Sequence, residues 1–255
     1  MKRFVTIVGV VAIVLAVTWF WLGHSKAPTT QQTATTTSPS SQQTSTKTTA
    51  TFNKTRYSLT QPTSIWVIVN KQHPLQPKTY VPSDLVLPDV TQRVPGTTEM
   101  KLRKAAAVAL EKMFAAAAKQ NINLLVSTAY RGYSYQATLY NGYVARQGKA
   151  VADTQSARPG YSEHQTGWAV DIRAQSGKCP VEQCFGNLPE GKWLAANAYK
   201  YGFLLRYPEG KQKITGYEYE PWHFRYIGTY LSKEMHRTGT ETMEEFFDVS
   251  GGTSY

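Results

Sequence analysis

The sequence predicts an α+β fold, with a single folded domain whose mainly antiparallel sheet is flanked by helices. Predicted helices and strands do not alternate regularly along the chain, which argues against a parallel sheet built from repeated strand–helix–strand units. The 255 residues suffice for one good-sized domain with appendages or for two small domains. Sixteen Tyr, nine Phe and six Trp supply the apolar area that a substantial core needs.

An uncharged apolar run over residues 4–22 predicts an N-terminal transmembrane anchor over residues 1–26. As a helix at about 1.5 Å per residue, this run spans about 28 Å, close to the hydrocarbon thickness of a bilayer. Lys2 and Arg3 precede it and favour a cytoplasmic N-terminus, so we expect a single-pass protein of the cell membrane with an extracellular catalytic domain. A cleaved signal peptide is the alternative and would make the protein secreted. Ser25 and Ala27 have the small side chains of a cleavage site, although Pro28 directly after them disfavours cleavage at that point.

Residues 27–56 are rich in Thr, Ser and Gln and predict a disordered linker. Such a composition cannot bury enough apolar surface to offset the entropy that is lost on ordering. A folded domain is predicted over residues 57–255, and the linker would hold it away from the membrane.

In the first half of this domain, an apolar run over residues 65–69 predicts a buried strand. Five prolines between positions 74 and 95 then predict an irregular arm. Apolar residues at helical spacing predict a helix over residues 99–120, and residues 122–128 are typical of a strand.

In the second half, residues 133–147 predict a helix that ends at Gly148. Apolar and polar residues alternate over 168–173, as expected for a half-buried strand. The remaining elements are a helix over 191–201 with Gly202 as its C-cap, short strands over 203–205 and 223–226, and helices over 228–237 and 240–247.

The net charge of +11 favours anionic partners. Anionic cell-wall polymers, an anionic membrane surface and nucleic acid all satisfy this condition, but the sequence contains no nucleic-acid-binding motif, so we expect no nucleic acid partner.

Only two cysteines are present, Cys179 and Cys184, which excludes a disulfide-dense scaffold and a four-cysteine zinc site. Outside the cell the pair can form a disulfide, and two incidental thiols are the alternative.

Two segments, residues 162–171 and 220–226, contain the residue types of a catalytic zinc site. Such a site needs three protein ligands and one open position for water. His164 and Asp171 can meet if the chain turns between them and returns as a strand, and His223 can supply the third ligand from a neighbouring strand. Glu220 would then lie beside the metal as a general base for zinc-bound water. Taken singly, each residue has an ordinary structural alternative.

The first segment resembles the Ser-x-His-x-x-Gly-x-Ala-x-Asp signature of the VanY-type D-alanyl-D-alanine carboxypeptidases, a family that includes L,D-carboxypeptidases. The second segment, Glu220-Pro221-Trp222-His223, resembles the family signature that contains glutamate, tryptophan and histidine. The similarity covers about residues 58–247, nearly the whole predicted domain.

The resemblance implies one Zn²⁺ ion bound by His164, Asp171 and His223, with Glu220 as the catalytic base. It also implies that Arg131 grips the substrate or stabilises the developing oxyanion.

Two further residues, Ser162 and Gln136, match family positions that line the substrate site. This chain has Gly132 after Arg131 where the family has serine, so any contact of that serine hydroxyl is absent here.

The function expected from the motifs is removal of the C-terminal D-alanine from peptidoglycan stem peptides. A non-catalytic cell-wall-binding module on the same fold is the alternative, and a basic surface protein that binds wall polyanions is a third possibility. Glu220 argues against a pure binder, which has no need of a base. The sequence does not choose between D,D-cleavage of a pentapeptide and L,D-cleavage of a tetrapeptide, and we expect a monomer.

Overall fold

The computed structural model describes residues 51–255. The predicted anchor and the first part of the predicted linker, residues 27–50, lie outside the described residues. Within residues 51–255, none of the helices is both long enough and apolar enough to cross a membrane. Phe52 falls in the range predicted as linker, yet its ring stacks on Tyr230 with a centroid separation of 4.5 Å and packs against Trp66. The packed chain therefore extends at least to Phe52.

Two antiparallel sheets organise the described chain, which confirms the predicted α+β class. A small sheet pairs β1 (Leu85–Val86) with β2 (Leu102–Arg103). The main sheet has the order β3-β4-β6-β5 and consists of β3 (Leu124–Thr128), β4 (Ala169–Ala174), β5 (Phe203–Leu205) and β6 (His223–Tyr226). All neighbours in this order are antiparallel.

Seven α-helices and four 3-10 helices surround these sheets in the described range. The α-helices are α1 (Lys104–Ala118), α2 (Tyr133–Gln147), α3 (Lys149–Gln155), α4 (Pro189–Asn197), α5 (Gln212–Thr215), α6 (Gly228–Thr238) and α7 (Met243–Phe247). The 3-10 helices are Thr98–Met100, Glu163–Thr166, Gln183–Asn187 and Ala198–Tyr201. The bounds of α2 agree with the prediction, whereas α3 and α5 were not predicted because they are short and weakly patterned.

Alternation along the central strands separates a core face from a polar face of the main sheet. Val170 pairs with Phe224, and both belong to the main apolar core with the buried side of α1. The next pair along the same strands, Asp171 with His223, lies on the opposite face. The register of β4 and β6 thus places two of the predicted zinc ligands directly opposite each other.

The predicted strand over residues 65–69 is wrong. Trp66, Val67 and Val69 are buried, as the apolar run indicated, but the segment pairs with no strand of the described chain. A side chain takes the place of a partner strand, because Arg225 Nη2 donates to the carbonyl oxygens of Ile65 and Val67 at 3.1 and 2.9 Å. These two carbonyl oxygens are therefore satisfied without a strand ladder.

The helix predicted over residues 99–120 begins later, at Lys104. Residues Thr98–Met100 form a 3-10 turn, and residues 102 and 103 form β2. Arg103 donates its backbone N–H to Gly167 O, which commits the chain to an extended conformation there. A tertiary contact therefore overrides the helical periodicity over these five positions.

Candidate active site

Three elements bring His164, Asp171 and His223 together on the polar face of the main sheet. His164 lies on the 3-10 turn Glu163–Thr166, while Asp171 and His223 face each other on β4 and β6. Gly167 follows the turn with a left-handed φ of 72°, and a Cβ atom there would meet a neighbouring side chain at 2.8 Å. Glycine is therefore required where the chain turns from His164 into β4.

The candidate donor atoms of these three side chains all lie within 4.8 Å of one another. His164 Nε2 is 3.3 Å from Asp171 Oδ2, and His223 Nδ1 is 3.3 Å from Asp171 Oδ1. Two ligands bonded at about 2.0–2.1 Å to a tetrahedral zinc ion stand about 3.3 Å apart. The spacing of the donor atoms therefore fits a tetrahedral metal ion.

Contacts on the far side of each imidazole determine which ring nitrogen faces Asp171. His164 Nδ1 lies 2.5 Å from Ala129 O, and a proton donated there leaves the lone pair on Nε2. His223 Nε2 faces Glu163 Oε2 at 3.5 Å, which leaves Nδ1 for the site. Asp171 Oδ1 is buried without a hydrogen-bond partner among the described residues. Because two imidazole nitrogens converge on this carboxylate, the donor set fits zinc.

The two histidines have different charge states in the metal-free protein. Burial, reinforced by the positive charge of Arg131, lowers the pKa of His164 to about 4. Burial also acts to lower the pKa of His223, but the neighbouring carboxylates of Asp171 and Glu163 outweigh it and raise the pKa to about 9. At neutral pH, His164 is therefore ready to bind a metal, whereas metal binding must displace a proton from His223.

Glu220 lies beside the three predicted ligands, with its Oε2 3.5 Å from His223 Nδ1. Its backbone N–H donates to Tyr207 O, and its carbonyl oxygen accepts the N–H of His223. Burial raises the pKa of Glu220 to about 7, while the charge of His223 opposes this shift and that of Asp171 reinforces it. A carboxylate with a pKa near 7 can accept and return protons at neutral pH.

Arg131 faces the same group of side chains from the segment that follows β3. Its Nη1 is 3.5 Å from Asp171 Oδ2, and its Nε donates to Gln136 Oε1 at 3.1 Å. Gln136 is fully buried and its amide nitrogen donates to Ala157 O at 2.7 Å. Gln136 is thereby fixed in place and orients the guanidinium of Arg131. Ser162 is also buried and borders the space in front of Arg131.

A buried ionic network supports His223, and no sequence motif had drawn attention to it. Glu163 Oε1 accepts hydrogen bonds from Arg206 Nε and Arg225 Nη1, both at 2.8 Å. Arg206 also donates two hydrogen bonds to Glu244, at 2.9 and 2.7 Å. The four charged side chains are buried, and their two positive and two negative charges compensate each other.

One signal in the sequence pointed to this network. Apolar and polar residues alternate along β6, so Arg225 lies on the same face as His223. A buried arginine needs an anionic partner, and Glu163 stands next to the predicted ligand His164. The partner was not identifiable from spacing, because 62 positions separate Glu163 from Arg225.

The site opens into a cleft of about 540 Å³. Residues from several separated segments of the chain line it, among them Arg131, residues 162–164, the loop between the two cysteines, and residues 217–220. Cys179 and Cys184 are joined by a disulfide, so the first of the two alternatives for this pair holds.

The sequence matches the family described as "VanY: D-alanyl-D-alanine carboxypeptidase" over residues 99–229. A relative from Bacillus subtilis, named as the carboxypeptidase YodJ, is 43% identical over 192 residues, which are 75% of this chain and 70% of the relative. A D-alanyl-D-alanine carboxypeptidase of Enterococcus faecalis is 34% identical over 149 residues, 55% of this chain and 53% of that protein. The chain thus spans about half the length of the enterococcal relative.

Solved structures agree with these matches. The LD-carboxypeptidase LdcB is 43% identical, with a TM-score of 0.70 over 74% of this chain and 89% of that one. A Zn(II) complex of a variant of the vancomycin-resistance D,D-pentapeptidase VanY is 32% identical, with a TM-score of 0.58 over 71% of this chain and 97% of that one. The chain therefore belongs to the VanY family of carboxypeptidases, whose members act as D-alanyl-D-alanine or L,D-carboxypeptidases.

Proposed function

We propose that this chain is a zinc-dependent carboxypeptidase that removes the C-terminal D-alanine from peptidoglycan stem peptides. The observation that carries the proposal is the convergence of His164, Asp171 and His223 with Glu220 in one cleft. The Zn(II) complex of VanY and the VanY-type structure with D-alanine-D-alanine support the choice of metal and of peptide terminus.

His164 Nε2, Asp171 and His223 Nδ1 would hold the metal. When bound, zinc supplies a Lewis acid that makes water more acidic and polarises a carbonyl oxygen. Glu220 takes the proton from the attacking water and passes it to the leaving amine.

Arg131 provides positive charge for the terminal carboxylate of the peptide and for the charge that develops on the carbonyl oxygen. Gln136 keeps the guanidinium of Arg131 oriented through the hydrogen bond at Nε. Ser162 borders the cleft in which the peptide would lie.

We propose L,D-cleavage of a tetrapeptide as the preferred reaction. Two of the solved relatives are named LD- or L,D-carboxypeptidases, and LdcB is more similar to this chain, at 43% identity, than the D,D-pentapeptidase VanY, at 32%. The residue before the scissile bond would then be an L-amino acid.

Incubation of the full chain with defined stem peptides tests this function. A tetrapeptide and a pentapeptide, each ending in D-alanine, are supplied to the zinc-loaded protein, to the chelated protein and to the chelated protein with zinc restored. We expect D-alanine release from the tetrapeptide, slower release from the pentapeptide, loss on chelation and recovery with zinc. Absence of release from both peptides with zinc present would refute the proposal.

Glu220→Gln separates an enzyme from a peptide-binding module. Loss of the general base should lower kcat by roughly 10²–10⁴-fold, while zinc stoichiometry and peptide affinity stay close to those of the unmodified protein. Glu209→Gln is the matched control, because Glu209 is exposed and lies outside the cleft lining. Full activity of Glu220→Gln would rule out its role as base.

The arrangement along the chain is part of the same proposal: an uncleaved membrane anchor over residues 1–26, a linker that ends before Phe52, and an extracellular catalytic domain that begins there. The apolar run and the charges before it support this arrangement. Membrane fractionation and digestion of intact cells by an external protease test it. Recovery of a mature protein in the medium whose N-terminus lies beyond residue 26 would favour the cleaved signal peptide instead.

A further inference from the structure

Tyr255 contacts two walls of the active-site cleft from outside. The first wall comprises residues 155–157, and the second wall comprises residues 217–220. Tyr255 itself is not among the residues that line the cleft, and it lies beyond residues 99–229, which match the family. The match to the family therefore says nothing about its role.

The chain reaches Tyr255 along a fixed path after α7. Asn70 Nδ2 donates to Ser250 O at 3.2 Å, and Gly252 N donates to Ile214 O at 2.8 Å. A Cβ atom at residue 251 would lie 2.1 Å from the same Ile214 O, so only glycine allows the two backbones to come this close. These contacts hold the segment that carries Tyr255 against the body of the domain.

One oxygen atom of Tyr255 links the two walls. The backbone N–H of Arg158, which directly follows the first wall, donates to Tyr255 Oη at 3.0 Å. Tyr255 Oη is also 3.3 Å from the Oη of Tyr217, the residue that begins the second wall. Within the described chain, the Arg158 N–H has no other acceptor. Loss of the Tyr255 hydroxyl would therefore leave this donor unpaired.

The first wall is connected to the arginine of the site. Gln136 Nε2 donates to Ser156 Oγ at 3.2 Å and to Ala157 O at 2.7 Å. Gln136 Oε1 accepts a hydrogen bond from Arg131 Nε at 3.1 Å. A shift of the first wall therefore moves Gln136, and with it the guanidinium of Arg131.

The second wall has supports of its own. Lys71 is buried, and its Nζ donates to Gly216 O at 2.6 Å and lies 4.8 Å from the ring centroid of Tyr217. At the other end of this wall, the backbone N–H of Glu220 donates to a carbonyl oxygen outside it. We therefore expect the first wall to depend more on the hydroxyl of Tyr255 than the second wall does.

We propose that Tyr255 is a positioning residue of the carboxypeptidase: its hydroxyl fixes the first wall, and this wall orients Arg131 through Gln136. The inference rests on the proposed function, in which Arg131 attracts the terminal carboxylate of the peptide. That carboxylate is bound both before and during the reaction. A misplaced guanidinium therefore weakens the binding of substrate and transition state alike, which raises KM and leaves kcat unchanged.

Tyr255→Phe removes the hydroxyl and keeps the ring, whose centroid lies 3.9 Å from the guanidinium of Arg158. The test uses the full, zinc-loaded chain and a tetrapeptide ending in D-alanine. We expect KM to rise about fivefold, the equivalent of one ordinary hydrogen bond. Zinc affinity should not change, because the Tyr255 hydroxyl bonds to none of the three predicted ligands.

Tyr230→Phe is the matched control. Tyr230 Oη accepts the backbone N–H of Asn53 at 3.1 Å, so the same kind of hydrogen bond is lost, but Tyr230 lies outside the cleft lining. Its KM should equal that of the unmodified protein. Thermal unfolding of both variants establishes that they are folded at the assay temperature.

A double-variant cycle with Arg131→Lys tests the route of the effect. Lysine keeps a positive charge but has no guanidinium Nε–H to donate to Gln136, so the position of the cation no longer depends on the first wall. Addition of Tyr255→Phe to Arg131→Lys should therefore change KM by less than about twofold, because the two substitutions act through the same contact.

The outcomes separate this inference from the function on which it rests. An unchanged KM in folded Tyr255→Phe, or an equal rise in Tyr230→Phe, would overturn the role of Tyr255 and leave the carboxypeptidase intact. The full rise in the Arg131→Lys background would also overturn the inference, because the effect would not pass through Arg131. Absence of cleavage by the unmodified protein would overturn the proposed function and this inference together.

Discussion

At the scale of single residues, the predicted ligands differ in how the rest of the protein supports them. His164 is held through a backbone oxygen, that of Ala129, which no side-chain substitution removes. His223 Nε2 faces the carboxylate of Glu163 at 3.5 Å, and Glu163 in turn is fixed by hydrogen bonds from Arg206 and Arg225. The orientation of His223 is therefore sensitive to residues that contact no substrate.

The first prediction compares the two buried glutamates of this network. Glu163→Gln should weaken zinc affinity by about 10–100-fold, the usual cost of losing a carboxylate behind a metal-binding histidine. Glu244 pairs with the same Arg206 but does not contact His223. The zinc affinity of Glu244→Gln should therefore change much less. Both variants should lower the free energy of unfolding by about 3–5 kcal/mol, because each leaves a buried charge uncompensated.

Zinc titration of the chelated variants and denaturant unfolding provide these two measurements. Equal zinc affinities of the two variants would contradict the supporting role of Glu163.

Residue types and spacing made His164, Asp171, His223 and Glu220 candidates, and the resemblance of the two segments to family signatures singled them out. Glu163 was not identifiable in this way. Its role depends on pairing with arginines 43 and 62 positions away, which the fold alone brings near.

At the scale of secondary structure elements, the turn between His164 and β4 decides whether the site can form. Gly167 has a φ of 72°, and a Cβ atom at this position would lie 2.8 Å from Arg103 Cγ and 3.0 Å from Leu85 Cδ2. Both neighbours belong to the small sheet of β1 and β2. This sheet therefore packs directly against the turn that carries a predicted ligand.

The second prediction is that Gly167→Ala lowers both stability and zinc affinity. The substitution combines a left-handed backbone with steric overlap and should cost about 1–3 kcal/mol of unfolding free energy. Gly177→Ala is the matched control, because Gly177 has a φ of 74° and nothing within 4 Å of its Cβ position. It should lose stability through the backbone alone and keep its zinc affinity.

Thermal unfolding and zinc titration of both glycine variants measure these effects. A Gly167→Ala protein that binds zinc as tightly as the control would show that the turn does not position His164.

Patterns within elements predicted most of the helices and the strands β3 to β6. The segment at residues 65–69 shows where such patterns fail, since its apolar residues are buried without a partner strand. Arg225 donates the hydrogen bonds that the carbonyl oxygens of Ile65 and Val67 would otherwise accept from a neighbouring strand. Periodicity reports burial, whereas the identity of the hydrogen-bond donor depends on tertiary structure.

At the scale of the whole molecule, the buried charges link folding to pH. Burial acts to raise the pKa of Glu244, but the charge of Arg206 and its hydrogen bonds outweigh this and lower the pKa below its usual value. A carboxyl group with a lower pKa in the folded state stabilises the protein above its unfolded pKa, about 4.3. This stability is lost as the pH falls through the folded pKa.

The third prediction is that the metal-free protein loses stability steeply with acid below about pH 4.3. Chemical unfolding of the chelated protein between pH 3 and pH 7 measures the slope. Glu244→Gln lacks one of the carboxyl groups that take up a proton on unfolding, so its stability should fall less steeply over the same range. A slope equal to that of the unmodified protein would contradict the contribution of Glu244.

The central claim is that His164, Asp171 and His223 together bind one zinc ion. Anomalous X-ray diffraction at the zinc absorption edge, on crystals of the zinc-loaded protein, tests this claim most directly. We expect a single strong peak in contact with His164 Nε2, the Asp171 carboxylate and His223 Nδ1, with Glu220 beside it but not bonded to it. A peak at any other group of residues, or no peak at these three, would contradict this ligand set.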